Sequence, residues 1–188
     1  AFARFVDMLG LKGTIYLTKT TAKAKLEALS RYGAVIKQVG DDCVEAEAQA
    51  RAAAKTNGQT YVSPYNDPRI VGGQGTIGIE LSRQLDSIDT VLVPVGGGGL
   101  ISGIACYLKF TSPSVQIIGC QPANSAVMYE SVRAGKILDI ESLPTLSDGS
   151  AGGIEQGSIT FDVCRELVDD FVVVSEEEIR QAMLLVIK

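Results

Sequence analysis

Histidine and tryptophan are absent from this chain of 188 residues, and basic residues are outnumbered, with 17 Lys and Arg against 22 Asp and Glu. Without histidine the chain itself supplies neither a Ser-His-Asp triad nor a His-ligated metal site. The net charge of −5 also lacks the excess of positive charge by which proteins bind nucleic acids. We therefore expect no nucleic-acid partner and no chemistry that depends on histidine.

Cysteine is scarce and widely spaced, and long apolar runs are missing. The chain has four cysteines, and none of them forms the C-x-x-C pattern of zinc or redox sites. Cys106 and Cys120 lie inside apolar segments, which predicts small buried side chains. No apolar run approaches the roughly 18 residues of a membrane-spanning helix, and no signal-peptide pattern is present. These features predict reduced thiols, a cytoplasmic location and no membrane partner.

Short β-branched or apolar runs alternate with helical patterns along the chain. Strands are predicted at residues 13–18, 34–39, 59–62, 89–95, 114–120 and 170–174. Helices are predicted at residues 1–10, 21–33, 42–55, 72–85, 100–110, 125–134, 160–168 and from 175 onward. This order predicts an α/β fold, with parallel sheets covered by helices on both faces. Pro64 and Pro68 mark an irregular segment, where we place the boundary between two units, residues 1–66 and 67–188.

Local patterns also predict how individual helices begin, end and pack. Phe2, Phe5, Val6 and Leu9 share one face of the first helix, and Thr21 is placed to cap the second. The first helix pattern starts without an N-cap, and the last runs to Lys188 without a C-cap. We expect a chain that is incomplete at both ends, the alternative being ordinary frayed termini.

Four consecutive glycines, Gly96, Gly97, Gly98 and Gly99, join an apolar strand to an apolar helix that starts at Leu100. Glycine lets main-chain N–H groups approach a ligand closely, and the positive end of the helix dipole favours an anion there. This glycine loop (residues 96–99) therefore predicts a phosphate site. It is neither a G-x-G-x-x-G loop nor a P-loop, so neither a dinucleotide nor a nucleoside triphosphate is favoured. The alternative is a flexible hinge, although hinges usually carry polar neighbours.

The segment Val93-Pro94-Val95-Gly96-Gly97-Gly98-Gly99-Leu100 resembles the tetraglycine loop of the pyridoxal-phosphate-dependent threonine/serine dehydratases and serine racemases, which have the tryptophan-synthase-β fold (fold type II). Further stretches resemble segments of the same family in the same order, namely residues 19–28 with 32–34, 64–68 with 73–76, and 167–170 with 174–179. The resemblance covers nearly the whole chain. It implies that residues 1–66 belong to the small domain and residues 67–188 to the large, cofactor-binding domain.

The resemblance also implies an activity and a set of site residues. The cofactor would be pyridoxal 5'-phosphate, and the reaction would remove the β-hydroxyl of L-threonine or L-serine to give a 2-oxo acid and ammonia. The phosphate would bind the main-chain N–H groups of residues 96–100, and Gly149, in Asp148-Gly149-Ser150, would lie beside the cofactor ring. The partners would be a small amino-acid substrate and further copies of the chain in a homo-oligomer.

Departures from the family pattern limit what these residues do. The segment that carries the family's Schiff-base lysine is absent, so we place no catalytic residue in this chain and expect the 188 residues alone to be inactive. Family members with a divalent-cation site have Glu and Asp where this chain has Gln121 and Val127. We therefore expect no metal site at that position.

Three other functions stay open at this point. Serine racemase, or a related hydroxy-amino-acid dehydratase, is the first alternative, although the loss of the cation site makes a metal-supported racemase less favoured. A non-catalytic α/β protein that binds a phosphate ligand is the second. A nucleotide-binding domain is the third, and the missing G-x-G-x-x-G loop disfavours it.

Overall fold

The computed structural model describes residues 1–187, and the chain divides after Val62 into two compact units. The predicted boundary between residues 66 and 67 lies a few residues further along. The assignment of the two units to a small domain and a large, cofactor-binding domain stays a prediction. Lys188, at which the predicted last helix and the predicted large domain end, lies outside the described residues.

The first unit is a two-stranded parallel sheet with three helices. Its elements are α1 (Phe2–Met8), β1 (Thr14–Leu17), α2 (Lys23–Leu29), β2 (Val35–Gln38) and α3 (Cys43–Thr56). Thr14 of β1 lies opposite Val35 of β2. Asp42 caps α3, because its carboxylate accepts a 2.8 Å hydrogen bond from the N–H of Val44.

Two details of the first unit differ from the prediction. Thr21 does not cap α2, which instead begins after Ala22 without a side-chain cap. In α1 the buried residues are Ala3 and Val6, whereas Phe5 and Leu9 are 62% and 67% exposed. The apolar stripe of α1 therefore lies only partly against this unit.

The second unit is a three-stranded parallel sheet with five helices among the described residues. Its elements are α4 (Pro68–Gln84), β3 (Thr90–Pro94), α5 (Gly99–Thr111), β4 (Gln116–Pro122), α6 (Val127–Ala134), α7 (Ile159–Leu167), β5 (Asp170–Val174) and α8 (Glu176–Ile187). The strand order is β3-β4-β5, and short 3₁₀ turns lie at Ala123–Ser125 and Asp148–Ser150. Ile101, Leu108, Ile117 and Met128 are fully buried between the helices and this sheet. The α/β fold with parallel sheets is as predicted.

Three sequence expectations are wrong around this unit. Residues 59–62, predicted as a strand, form none. Helix α4 starts at Pro68, earlier than predicted, because Asp67 caps it and proline is well suited to the first helical position. Cys106, predicted to be buried, is exposed, and Cys120 is half-buried.

Helices α4 and α5 lie in close contact because glycines replace side chains where they cross. A Cβ on Gly103 of α5 would overlap the carbonyl oxygen of Val71 and come within 2.6 Å of the N atom of Gly75 in α4. Close packing of main chain against main chain therefore fixes the position of α5, and with it the start of that helix at Gly99.

An ion pair holds the far end of α5 to the sheet. The ammonium of Lys109 donates a 2.7 Å hydrogen bond to the Val115 carbonyl and lies 2.7 Å from an oxygen of the Asp169 carboxylate. The same carboxylate accepts a 2.7 Å hydrogen bond from the N–H of Ile117 in β4. These bonds join α5, β4 and the start of β5 into one rigid support.

All four cysteines are free thiols. None of the helices formed by residues 1–187 has the length and apolar character needed to cross a membrane.

Candidate functional site

The glycine loop leaves β3 at the carboxyl end of the strand and enters α5 directly. The N–H of Val95 still pairs with the carbonyl of Cys120 in β4, at 2.9 Å, so the loop starts from the edge of the sheet. Gly98 precedes α5 and has φ +83°, a left-handed conformation that side chains other than glycine rarely allow. In parallel α/β sheets, ligands bind at this carboxyl edge.

Neighbouring side chains leave no room for a Cβ on the central glycines. A Cβ on Gly97 would overlap the ring of Tyr65, and one on Gly99 would lie 3.0 Å from the Cβ of Tyr65. A Cβ on Gly98 would lie 2.8 Å from the methyl group of Met128. The loop therefore needs glycine for packing on its inner side, independently of any ligand on its other side.

Three main-chain N–H groups of the loop have no hydrogen-bond partner among the described residues. Within residues 1–187, the N–H groups of Gly96, Gly97 and Gly98 donate no hydrogen bond, although Gly98 is buried. Gly99 and Leu100 start α5, and the first N–H groups of a helix have no acceptor within it. Several unpaired donors therefore lie at the N-terminus of a 13-residue helix, which is a favourable place for a phosphate.

Two buried side chains donate hydrogen bonds to main-chain carbonyls in and just before the glycine loop. The hydroxyl of Thr160 donates a 2.6 Å hydrogen bond to the carbonyl of Gly97. The side-chain amide of Gln121 donates a 3.0 Å hydrogen bond to the carbonyl of Val95. Thr160 and Gln121 are 0% and 1% exposed, so water does not compete for these bonds.

The other predicted site residue, Gly149, lies in the 3₁₀ turn Asp148–Ser150. This turn contacts the glycine loop, since a Cβ on Gly96 would lie 3.3 Å from the Cα of Ser150. Apart from its chain neighbours and its own turn, no described residue has an atom within 4 Å of the position that a Cβ on Gly149 would take. The structure thus brings the turn that holds Gly149 next to Gly96, while the binding of a cofactor by residues 96–100 and Gly149 stays a prediction.

Gln121 and Val127, which stand where family members with a cation site have Glu and Asp, are both uncharged, and both side chains are buried. Gln121 donates to Val95 as described, and its side-chain oxygen accepts a 2.7 Å hydrogen bond from the N–H of Tyr129. Val127 is 1% exposed and belongs to the hydrophobic core.

A buried cysteine near α5 is chemically inert. Burial raises the pKa of the Cys164 thiol to about 12, and the opposing effect of the Ser102 hydroxyl, 4.0 Å away, is smaller. The thiol therefore stays protonated near neutral pH, which makes it a poor nucleophile.

Sequence patterns did not indicate the contacts of Tyr65, Thr160 and Ser150 with the loop. Besides packing against the loop, Tyr65 accepts a 2.9 Å hydrogen bond at its hydroxyl from the N–H of Glu155. The sequence predicts for Thr160 only a position at the start of a helix, not a contact with Gly97. No local pattern pairs these residues with glycines so distant along the chain.

Comparison with known proteins gives a consistent set of relatives. A family described as pyridoxal-phosphate-dependent enzymes matches residues 1–188. The catabolic L-threonine dehydratase of Escherichia coli K12 is 39% identical over 181 residues, which cover 96% of this chain and 55% of that protein. An L-threonine ammonia-lyase of Geobacter sulfurreducens is 39% identical over 182 residues, covering 97% of this chain and 45% of that protein.

Solved structures agree with the sequence relatives. The T.th. threonine deaminase superposes with a TM-score of 0.87 at 32% identity, covering 100% of this chain and 61% of that one. Maize serine racemase superposes with a TM-score of 0.86 at 32% identity, covering 96% of this chain and 54% of that one. The chain thus spans about half the length of the relatives that it matches.

Proposed function

Because the chain belongs to the family of pyridoxal-phosphate-dependent enzymes, we propose that this protein is a threonine/serine ammonia-lyase. The reaction removes the β-hydroxyl of L-threonine or L-serine and yields a 2-oxo acid and ammonia. The relatives named as threonine dehydratase, ammonia-lyase and deaminase support this choice over other reactions of the family.

The observation that carries the proposal is the set of free N–H groups in the glycine loop. The N–H groups of Gly96, Gly97 and Gly98 have no acceptor within residues 1–187, and they meet the positive end of α5. A phosphate matches this donor set in charge and in hydrogen bonding, so the residues present fit pyridoxal phosphate. When bound, this cofactor supplies an electron sink for reactions at the Cα of an amino acid.

The residues of this chain would bind and orient the cofactor. The main chain of residues 96–100 would hold the phosphate through N–H donors and the helix dipole. The turn at Gly149 would lie beside the cofactor ring, where the absence of a Cβ leaves space for it. Tyr65 and Met128 fill the inner side of the loop and keep water from that face. We assign no catalytic lysine and no metal ligand to these residues.

We place the protein in the cytoplasm as a homo-oligomer. Four free thiols are typical of a reducing compartment, and the family resemblance supports assembly with further copies of the chain.

The experiment uses the complete natural protein with and without added pyridoxal phosphate. We expect the visible absorbance of the bound cofactor, and release of 2-oxo acid and ammonia in equal amounts from L-threonine or L-serine. L-Alanine, which lacks a β-hydroxyl, should release no ammonia. Conversion of L-serine to D-serine without ammonia would assign a racemase instead, a possibility that the similarity to maize serine racemase supports. Binding of phosphate without any turnover would assign a non-catalytic protein.

A further inference from the structure

We propose that Thr160 and Gln121 are positioning residues that direct the N–H groups of Gly98 and Gly96 toward the cofactor's phosphate. The inference rests on the proposed function, since it concerns the same phosphate site. It adds that two buried side chains, neither of which touches the phosphate, determine where the donors of the glycine loop point.

The argument starts from the geometry of the peptide group. In a trans peptide the C=O of one residue and the N–H of the next point in opposite directions within one plane. A side chain that fixes a carbonyl on one side of the chain therefore fixes the following N–H on the other side. The carbonyl of Gly97 shares its peptide plane with the N–H of Gly98, and the carbonyl of Val95 shares its plane with the N–H of Gly96.

Thr160 fixes the first of these planes. Its hydroxyl donates to the carbonyl of Gly97 at 2.6 Å, and its own oxygen lies 2.7 Å from the hydroxyl of Ser158. Because a carbonyl only accepts, the proton of Thr160 is committed to Gly97, and Ser158 must therefore donate to Thr160. The N–H of Gly98 then faces away from Thr160 and finds no acceptor among residues 1–187.

Gln121 fixes the second plane. Its Oε1 accepts the N–H of Tyr129 at 2.7 Å, which sets the orientation of the side-chain amide. Its Nε2 is thereby turned toward the carbonyl of Val95, 3.0 Å away. The N–H of Gly96 consequently faces away from Gln121.

Burial makes both bonds decisive for the direction of the loop. Thr160 and Gln121 are 0% and 1% exposed, and an unpaired carbonyl in such surroundings is costly. If either bond is removed, the peptide plane is free to rotate toward another partner, and its N–H no longer points consistently at the ligand. Preorganised donors bind an anion more tightly than donors that must first be ordered.

The test compares pyridoxal phosphate with pyridoxal, which lacks the phosphate, on the complete natural protein freed of cofactor. Thr160→Val removes the hydroxyl at nearly constant volume. We expect it to reduce the preference for pyridoxal phosphate over pyridoxal about tenfold, the effect of one lost charge-assisted hydrogen bond. Thr160→Ser keeps the hydroxyl and should restore the preference to within about twofold. Affinities are measured by equilibrium dialysis.

Ser158→Ala is the matched control. It removes a buried hydroxyl from the same cluster but leaves the bond from Thr160 to Gly97 in place. We expect lower thermal stability with an unchanged preference for the phosphorylated ligand. An equal loss of preference in Ser158→Ala and Thr160→Val would show a merely structural role and overturn the proposal, as would an unchanged preference in Thr160→Val.

A spectroscopic arm separates the two positioning residues, and its Gln121 variant still tests the proposal if Thr160→Val does not fold. In ¹H–¹⁵N spectra, inorganic phosphate should shift the amide signals of both Gly96 and Gly98 in the wild type. In Gln121→Met, which removes the Nε2 donor at similar side-chain volume, the response of Gly96 should be lost while that of Gly98 persists. Thr160→Val should show the reverse, and loss of both responses in either variant would contradict the assignment.

The outcomes also distinguish the inference from the proposed function. A wild type that binds neither pyridoxal phosphate nor phosphate overturns both. A wild type that binds the cofactor without releasing ammonia overturns only the ammonia-lyase assignment, and the variants still decide the role of Thr160 and Gln121.

Discussion

The ring of Tyr65 occupies the space into which a side chain on Gly97 would project. Tyr65 is 6% exposed, and its hydroxyl accepts a 2.9 Å hydrogen bond from the N–H of Glu155, so the ring is held in place at both ends. The two residues make the inner side of the glycine loop a packed surface. The inner side of the loop is thus filled by protein, while the N–H groups of Gly96, Gly97 and Gly98 have no acceptor within residues 1–187.

This contact predicts that Gly97→Ala destabilises the second unit. The added methyl group forces the Tyr65 ring out of its position, and such overpacking costs about 1–3 kcal/mol. Thermal or denaturant unfolding measures the loss. In the double variant Gly97→Ala/Tyr65→Leu the ring is replaced by a smaller side chain, so its loss of stability should be smaller than the sum of the two single losses, whereas additive losses would show that the ring is not the cause.

Gly149→Ala, unlike Gly97→Ala, should leave the stability of the protein unchanged. Apart from its chain neighbours and its own turn, no described residue has an atom within 4 Å of the added Cβ, and the residue has no positive φ. We therefore expect the free energy of unfolding to change by no more than about 0.5 kcal/mol. If Gly149 lies beside the cofactor ring, the methyl group should weaken binding of pyridoxal and pyridoxal phosphate alike. Wild-type affinity for both ligands would remove Gly149 from the site.

The contact between α4 and α5 predicts a matched pair of glycine variants. Gly73 is exposed within α4 and has nothing within 4 Å of a Cβ, so Gly73→Ala should stabilise by about 0.5–1 kcal/mol through helix propensity. Gly103→Ala places its Cβ against the main chain of Val71 and Gly75 and should destabilise by about 3 kcal/mol or more. Denaturant unfolding of both variants measures the difference, and equal stabilities would contradict the close helix contact.

The carboxylate of Asp67 predicts a pH-dependent contribution to stability. Its pKa is lowered from 3.8 to about 2, first by the hydrogen bonds from the Arg69 side chain and then by the N–H of Arg69. A lowered pKa means that the stabilisation is fully present above pH 3.8 and is lost as the pH falls through about 2.

Asp67→Asn tests this because asparagine also caps helices, so that α4 keeps its N-cap and only the charge is removed. The wild type should melt at a higher temperature than this variant above pH 3.8, and the difference should shrink between pH 3.8 and about 2. Arg69→Gln should show the same profile, and the double variant should add nothing further. A difference that does not vary with pH would contradict the ion pair.

Local patterns were sufficient where the chain depends on its own neighbours. Helix α3 begins after Asp42 and ends before Asn57, close to the predicted positions, and Gly135 ends α6 in a left-handed conformation. Local patterns failed where contacts between distant parts of the chain determine whether a segment forms a strand or a side chain is buried. The run at residues 59–62 has the composition of a strand but no partner strand to pair with among the described residues, and Phe5 is exposed although it belongs to an apolar stripe.

The sequence by itself determined the α/β order of elements and the position of the glycine loop between a strand and a helix, because hydrophobic period and glycine content act over a few neighbouring residues. Only the tertiary structure decided that Thr160 and Gln121 hold the carbonyls of Gly97 and Val95. That pairing depends on the strand order β3-β4-β5 and on the packing of α7 against α5, which bring together residues far apart in the chain. Buried polar groups must find partners wherever folding places them, and no local pattern of residues specifies which partners those are.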